Sequence, residues 1–205
     1  SSAMWSYRFA GISDKEGEEG QTLWYGDNDA IKHHVQSNSI DVLEYSGQAD
    51  PVTVMGMDNR FEFKGFSVSV LMAYYGGHKM RALVQEEAMG MPSKAIASYF
   101  INAWTPENPT NVPGIGRYSS TSTAEEPRLS NISVHDADFL KIRNIVIGYE
   151  LPQRWLNTIG FNRATIKFQI DNPKALWVKN DIGVDPETLG LRNPASYIFG
   201  ININL

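Results

Sequence analysis

Apolar and polar side chains alternate along much of the C-terminal third of this chain, in stretches of about ten residues separated by turn-forming segments. At the C-terminus every second residue is a large apolar one, and Ser196, Gly200 and Asn202 stand between them. Because successive side chains of a β-strand point to opposite faces, each stretch has one apolar and one polar face. Strands of this length and alternation are typical of a transmembrane β-barrel. The pattern therefore predicts an all-β fold of antiparallel, membrane-crossing strands.

The same alternation predicts six strands, at residues 2–10, 57–64, 66–75, 138–150, 164–171 and 196–205. A buried parallel strand would not have so many charged residues at every second position. We therefore expect the apolar side chains to face lipid and the polar ones to face the barrel lumen. The predicted lipid-facing residues are Phe66, Val68, Val70, Leu140, Ile142, Ile145, Ile147, Ile166, Phe168, Ile170, Tyr197, Phe199, Ile201 and Ile203. The predicted lumen-facing residues are Arg60, Glu62, Ser67, Ser69, Lys141, Thr165, Lys167, Gln169 and Asn202.

One predicted strand, residues 138–150, changes phase in its middle. Leu140 and Ile142 share one face, whereas Ile145 and the apolar residues after it share the other. A β-bulge between Arg143 and Asn144 would insert one extra residue and return all of them to one face. The alternative is that the strand ends at Asn144, because asparagine is unfavourable in strands.

The connections between the predicted strands alternate between short and long. Residues 64–65 and 151–162 are short, whereas residues 11–56, 76–136 and 179–194 are long. Outer-membrane barrels have short periplasmic turns and long extracellular loops, so we expect the three long segments outside the cell. Residues 92–104 have helical apolar spacing after a Pro-Ser start, which predicts one short loop helix. Its apolar face is expected to pack on neighbouring loops or on a partner rather than to bind sugar.

Composition narrows the classes of function further. The 205 residues have a net charge of −5, which gives no basic surface for a nucleic-acid partner. The chain has no cysteine, which excludes disulfides and thiolate metal sites. The four histidines, at 33, 34, 78 and 135, lack metal-ligand spacing and are expected to be solvated loop residues. No hydrolase or nucleotide-binding motif occurs, so we predict no enzyme activity, no cofactor and no metal.

Four segments occur in an order that matches a known family. They are FAGISDKEGEEGQTLWY, DNRFEFKGFSVSVLMAYYGGHKM, WTPENPTNVPGIGRY, and FLKIRNIVIGYELP with the DPE and final strand that follow it. Together they resemble the SusC/RagA family of TonB-linked outer-membrane transporters over nearly the whole chain. The resemblance implies that residues 1–205 are the C-terminal part of a TonB-dependent receptor barrel. They would be about the last six of roughly 22 strands, without the plug domain and the N-terminal strands.

The resemblance also implies a function and partners. It implies uptake of oligosaccharides or oligopeptides through the outer membrane of a Gram-negative bacterium, with a SusD-like surface lipoprotein as lid. TonB would act through an N-terminal part outside this chain, and the remaining contacts would be with the rest of the transporter and the lipid bilayer. Four loop aromatics are candidates to stack on a sugar ring or a peptide side chain, or else are loop anchors: Trp24, Tyr25, Trp104 and Tyr118.

Two alternatives remain open from the residues alone. The chain could be a soluble β-sandwich that binds glycans through loop aromatics. Less favoured is a glycoside hydrolase fragment, which needs two positioned carboxylates that the sequence does not reveal. Solubility without detergent would separate both alternatives from a barrel wall.

Overall fold

The computed structural model describes residues 2–35, 39–81, 101–112, 129–180, 182–190 and 192–204. In chain order the strands are β1 (Ala3–Tyr7), β2 (Phe9–Ile12), β3 (Thr22–Tyr25), β4 (Ile31–Lys32), β5 (Leu43–Gln48), β6 (Thr53–Phe63), β7 (Phe66–Gly76), β8 (Lys79–Arg81), β9 (Val134–Asp136), β10 (Phe139–Glu150), β11 (Arg163–Asp171), β12 (Trp177–Val178) and β13 (Ser196–Asn204). The helix α1 spans Gln153–Ile159. In these ranges no helix is long and apolar enough to cross a membrane.

The chain divides into two compact units, each built from three separate segments. The sheet unit consists of Pro51–Gly77, Ala137–Lys179 and Asp185–Leu205. The loop unit consists of Ser1–Asp50, His78–Asp136 and Asn180–Val184. The long strands therefore belong to the sheet unit, and most of the long predicted connections belong to the loop unit.

The sheet unit is one antiparallel sheet with the strand order β13-β11-β10-β7-β6, and the short β12 also pairs with β10. Phe168 on β11 lies opposite Ile147 on β10 and Phe199 on β13. Residues directly opposite each other on neighbouring strands lie on the same face of the sheet, and so do residues two positions apart along one strand. By this register all residues predicted to face lipid lie together on one face, which we call the apolar face.

The predicted bulge in β10 is confirmed. Ile142 pairs with Met72 and Asn144 pairs with Leu71, so the register against β7 skips Arg143. The extra residue moves Asn144 off the apolar face and returns Ile145 to it. The strand continues to Glu150, so the alternative of a strand end at Asn144 is wrong.

Two short connections close the same end of the sheet, which we call the hairpin end. Lys64 and Gly65, both at positive φ, form a two-residue turn between β6 and β7. This backbone matches the twist of an antiparallel hairpin, and glycine adopts it without strain. The other connection contains α1, which buries Leu156 and ends at Gly160 in the left-handed conformation.

Among its described residues the loop unit contains three small sheets, β1-β5, β2-β3-β4 and β8-β9. Residues 2–10 were predicted as one strand of the membrane-crossing sheet, and this placement is wrong. The segment forms β1 and part of β2, which pair with β5 and β3. Alternation identifies a strand but not its partner, and a short strand with one apolar face also suits a small loop sheet. The helix predicted at 92–104 falls largely on residues outside the described ranges.

Arg81 joins three parts of the loop unit. Its Nη2 donates hydrogen bonds to the Trp5 carbonyl oxygen at 2.6 Å and to Ser6 Oγ at 2.9 Å. Its Nη1 donates to the Ser130 carbonyl oxygen at 3.2 Å and to Ser133 Oγ at 3.1 Å. Burial lowers the pKa of Arg81 from its ordinary value. The planar guanidinium holds β1, β8 and the turn at residue 130 in one arrangement.

Replacing Arg81 with lysine is expected to loosen the loop unit. The single nitrogen of a lysine side chain cannot reproduce the hydrogen bonds that the two Nη atoms of Arg81 donate. We therefore expect a loss of about 2 kcal/mol of local stability. Limited proteolysis of the complete membrane protein would show faster cleavage in residues 1–50. Arg192→Lys, at an exposed position, is the matched control, and equal cleavage of the two variants would contradict the role of Arg81.

Candidate functional site

The face opposite the apolar face is polar, and it contains all residues predicted to face the lumen. Three rows illustrate the register: Arg60 opposite Ser69, Glu62 opposite Ser67, and Thr165 opposite Asn202. Lys141 joins the same face through its pairing with Ala73 on β7. We call this the polar face. It presents hydroxyl, amide and charged groups from every long strand of the sheet.

At the hairpin end the polar face is concave. The concavity has a volume of about 620 Å³, and we call it the hairpin groove. Its lining residues are Arg60, Glu62, Phe63, Lys64, Gly65, Phe66, Ser67, Glu150, Arg163, Thr165, Lys167 and Asn202. Four of these side chains are cationic and two are anionic, so the groove has an excess of positive charge.

The anionic side chains of the groove are both neutralised by arginines. Arg60 lies 2.5 Å from Glu62 and Arg163 lies 2.8 Å from Glu150. The Lys64 ammonium lies over the Phe63 ring, 5.2 Å from its centroid. Lys167 is exposed and has no ion pair with any residue in the described ranges. The positive charge that remains is therefore that of the two lysines.

Lys167 stands in a row with very little side-chain volume. The row runs across the sheet from Ser67 through Gly148, Lys167 and Gly200. A Cβ atom at Gly148 would lie 2.5 Å from Ser67 Oγ, whereas one at Gly200 would meet nothing within 4 Å. Glycine inside a strand often marks a place where another backbone or a ligand approaches closely. The space above Gly200 is thus open, whereas the space above Gly148 is occupied by the Ser67 side chain.

A second charged cluster lies on the polar face further along β10. Glu187 accepts hydrogen bonds from both Lys141 and Arg143. The Lys141 side chain is only 1% exposed, and this carboxylate is the counter-ion of its ammonium group. Burial raises the pKa of Glu187, but the hydrogen bonds from the two cations outweigh it and hold that pKa below its usual range. We call these three residues the carboxylate clamp.

A tight turn and a ring pair position the carboxylate clamp. The Asp185 Oδ1 atom accepts a hydrogen bond from the Glu187 backbone N–H at 2.9 Å, and Asp185 also pairs with Gly190. The guanidinium of Arg143 lies 5.3 Å from the Tyr75 ring, which stacks on Phe139. The clamp therefore fastens the segment before β13 onto β10.

The four loop aromatics predicted as ligand contacts have different environments. Trp24 is 1% exposed and packs edge-on against Phe9, so its prediction as a stacking surface is wrong. Tyr25 is partly exposed with the Arg8 guanidinium 5.4 Å from its ring. Trp104 is half-buried, and its ring lies against Gly20. Tyr118 lies outside the described residues.

Several features were missed by reading the sequence. Trp5 and Tyr45 form an exposed edge-to-face pair across β1 and β5, which alternation alone could not bring together. Glu187 lies 46 residues from Lys141, and only the DPE motif marks it. His78 is buried, so the expectation of a solvated side chain is wrong there. Within the described residues no three acidic or histidine side chains cluster as a metal site would require.

Comparison with known proteins decides the family. The chain is 26% identical over 161 residues to TonB-dependent receptor P3 of Formosa agariphila, covering 78% of this chain and 15% of that protein. It is 30% identical over 147 residues to TonB-dependent receptor P39 of the same organism, covering 68% of this chain and 13% of that protein. The chain belongs to the TonB-dependent receptors. It therefore spans about a seventh of the receptors that it matches, and no protein-family model matches it.

Solved structures show that the TonB-dependent receptor fold extends over nearly the whole chain. The RagAB peptide importer in its open-open state superposes with a TM-score of 0.71 at 22% identity, covering 98% of this chain and 22% of that one. A structure of the RagAB peptide transporter gives a TM-score of 0.72 with the same coverage. The predicted SusC/RagA-type barrel segment is thereby confirmed.

Proposed function

We propose that this receptor segment forms part of the wall of a TonB-dependent nutrient importer in the outer membrane of a Gram-negative bacterium. The cargo class that fits the family is an oligopeptide or an oligosaccharide, taken up with a SusD-like surface lipoprotein as partner. The chain itself performs no catalysis in this proposal. Its role is to contact lipid with the apolar face and to line the polar lumen of the barrel with the other face.

The observation that supports this most is the exposed apolar face. Large aromatic side chains on it are open to the surroundings, and Phe61 and Phe199 are each 66% exposed. The long strands have 9 to 12 residues, which matches the roughly 9–11 residues that a tilted strand needs to span a bilayer. Hydrocarbon is the environment in which such a face is stable.

The proposal also gives the sheet an orientation. The Lys64-Gly65 turn and the α1 connection both close the hairpin end, and short connections belong to the periplasm in outer-membrane barrels. The hairpin groove would then lie at the periplasmic end of the lumen. The carboxylate clamp, nearer the opposite end, would hold an outer loop against the wall.

The soluble alternatives are less well supported. A β-sandwich stabilises itself by burying the apolar face of each sheet against the other, yet on this face Phe61, Phe66 and Phe199 are each more than half exposed. A glycosidase needs two carboxyl groups free to act on a sugar, yet Glu62 and Glu150 are each paired with an arginine. Neither class explains five long strands with one continuous apolar face.

An uptake measurement tests the proposed function. The complete transporter, produced with its lipoprotein partner in a Gram-negative host, is expected to accumulate either fluorescent oligopeptides or fluorescent oligosaccharides. Accumulation should disappear when the host lacks TonB, because the import is powered from the inner membrane. Equal accumulation with and without TonB would contradict energised import. A protein found wholly in the soluble fraction would contradict the membrane location.

A further inference from the structure

We propose that the hairpin end of the sheet unit binds anionic phospholipids, with Lys64 and Arg154 as the residues that pair with their phosphate groups. The inference rests on the proposed function, since that function places the hairpin end at the periplasmic surface of the membrane. It goes beyond the proposed function by assigning a headgroup chemistry and two binding residues to this end of the wall.

Exposed aromatic side chains of the apolar face collect at the hairpin end. Phe63 and Phe66, which lie opposite each other across the turn, are each more than half exposed. The Phe66 ring packs against that of Tyr149 on β10, with the two ring centroids 4.3 Å apart. Aromatic side chains are enriched where the hydrocarbon of a membrane meets its polar headgroups. The three rings therefore mark this end of the sheet as the depth at which headgroups begin.

The helix α1 extends this aromatic surface. Ala164 shares the apolar face, two residues before Ile166, yet it is buried. α1 contacts β11 and its Leu156 is buried as well, which places the helix over Ala164 on the apolar side of the sheet. The adjacent Trp155 is instead more than half exposed. A short helix that buries one apolar side chain and exposes a tryptophan suits the surface of a membrane rather than its hydrocarbon core.

Two exposed cations each lie over one of these aromatic rings. The Lys64 ammonium is 5.2 Å from the centroid of the Phe63 ring. The Arg154 guanidinium is 5.7 Å from the centroid of the Trp155 ring. Long cationic side chains near a membrane surface lie along apolar groups and direct their charge to the headgroups. The ring contacts therefore place both charges beside the apolar face, where a headgroup would lie.

The two cations have no ion pair with any residue that the structure describes. Residues 64–65 and 151–162, which contain them, have no aspartate or glutamate. The carboxylates that flank these segments, Glu62 and Glu150, are each paired with an arginine. This end of the sheet therefore has two positive charges that are available to an anion.

A backbone hydrogen bond brings the two cationic connections together. The Glu150 N–H donates to the Gly65 carbonyl oxygen at 2.8 Å, so the turn that contains Lys64 adjoins the chain that leads into α1. The sheet unit itself thus holds the cations of both connections at one end of the apolar face.

The combination of charge and apolar surface favours a phospholipid as the occupant. A soluble phosphate would use the cations alone, and a neutral hydrocarbon would use the rings alone. A phospholipid uses both, since its acyl chains can lie against the apolar face while its phosphate meets a cation. An anionic headgroup is favoured over phosphatidylethanolamine, because the ammonium group of the latter would find no acidic partner in residues 64–65 or 151–162.

Lipid binding to the purified complete transporter tests the site. Native mass spectrometry would count bound lipids as phosphatidylglycerol or phosphatidylethanolamine with the same acyl chains is added. We expect the unaltered protein to bind phosphatidylglycerol more tightly. Lys64→Gln and Arg154→Gln should each weaken that binding roughly fivefold and leave the binding of phosphatidylethanolamine unchanged. High salt should reduce the difference between the two lipids.

Matched variants at the other end of the sheet are the controls. Lys174→Gln and Arg192→Gln remove the same charges at exposed positions, one after β11 and the other before β13. Both controls should bind phosphatidylglycerol as the unaltered protein does. Heat-modifiability on a gel first establishes that every variant inserts as the unaltered protein does.

Three results would overturn the proposal. The first is that Lys64→Gln and Arg154→Gln bind phosphatidylglycerol as tightly as their controls. The second is that the unaltered protein binds the two lipids equally. The third is that glycerol phosphate, which has the phosphate but no acyl chains, binds as tightly as phosphatidylglycerol. Failure of the proposed function would appear separately, as loss of insertion or import by the unaltered protein.

Discussion

Replacing Phe168 with arginine is expected to destabilise the assembled transporter by roughly 2–4 kcal/mol. Phe168 lies in the middle of β11 on the apolar face, between Ile147 and Phe199 on the neighbouring strands. In the proposed orientation the guanidinium would sit near the middle of the hydrocarbon, far from either interface. Denaturant unfolding in detergent or lipid vesicles would measure the loss.

The adjacent residue gives the matched control. Gln169→Arg places the same side chain one position along, on the polar face opposite Val146. There the charge meets the lumen, so we expect a change within about 0.5 kcal/mol. Equal losses for the two variants would show that lipid and lumen have been assigned to the wrong faces, or that neither face meets lipid.

Removing the charge of Glu187 is expected to cost about 3 kcal/mol, because it leaves the buried Lys141 ammonium without a counter-ion. The variant Glu187→Gln keeps the size of the side chain and some of its hydrogen bonding. The loss should come as local opening of the segment before β13, so hydrogen exchange in residues 182–190 is the sensitive measurement. Glu107→Gln, at an exposed turn position, is the control.

The origin of the effect can be separated from packing. Lys141→Met removes the buried charge itself and should cost much less than Glu187→Gln, and the double variant should cost less than the sum of the two. The pH dependence has a definite sign. Since the folded-state pKa of Glu187 is lowered, the clamp is fully present above the ordinary glutamate pKa of about 4.3 and is lost as the pH falls through the lowered value. A protection factor in residues 182–190 that stays constant as the pH falls through this range would contradict this account.

Strand positions and faces could be predicted because they depend on a local pattern. Phe168 and Gln169 are adjacent in the sequence but lie on opposite faces, because successive side chains of a strand alternate. The alternation of apolar and polar residues is visible in the sequence itself. The bulge at Arg143 could be predicted for the same reason, since it is a visible break in the pattern. The family resemblance then assigned these strands to a TonB-dependent receptor barrel, which alternation alone does not do.

Partners across long sequence distances could not be predicted. Trp24 looked like a loop aromatic open to ligand, but its burial depends on Phe9 in another strand of the loop unit. Glu187 and Lys141 each look like ordinary surface charges, and only the fold brings them together. β1 has the alternation of a membrane strand, yet its partner is the short β5. In each case the contact joins residues on different structural elements, and a local sequence pattern does not show which elements pair.

The bulge at Arg143 also bears on how this strand can change in length. Deleting Arg143 would join Ile142 to Asn144 and leave an unbroken alternation, at the expense of the contacts of Arg143 with Glu187 and Tyr75. A single deletion elsewhere in β10, for example at Val146, would instead turn a run of apolar side chains toward the lumen. Among receptors that share this wall, one-residue length differences in β10 should therefore concentrate at position 143. At that position a length difference leaves every other side chain of the strand on its present face.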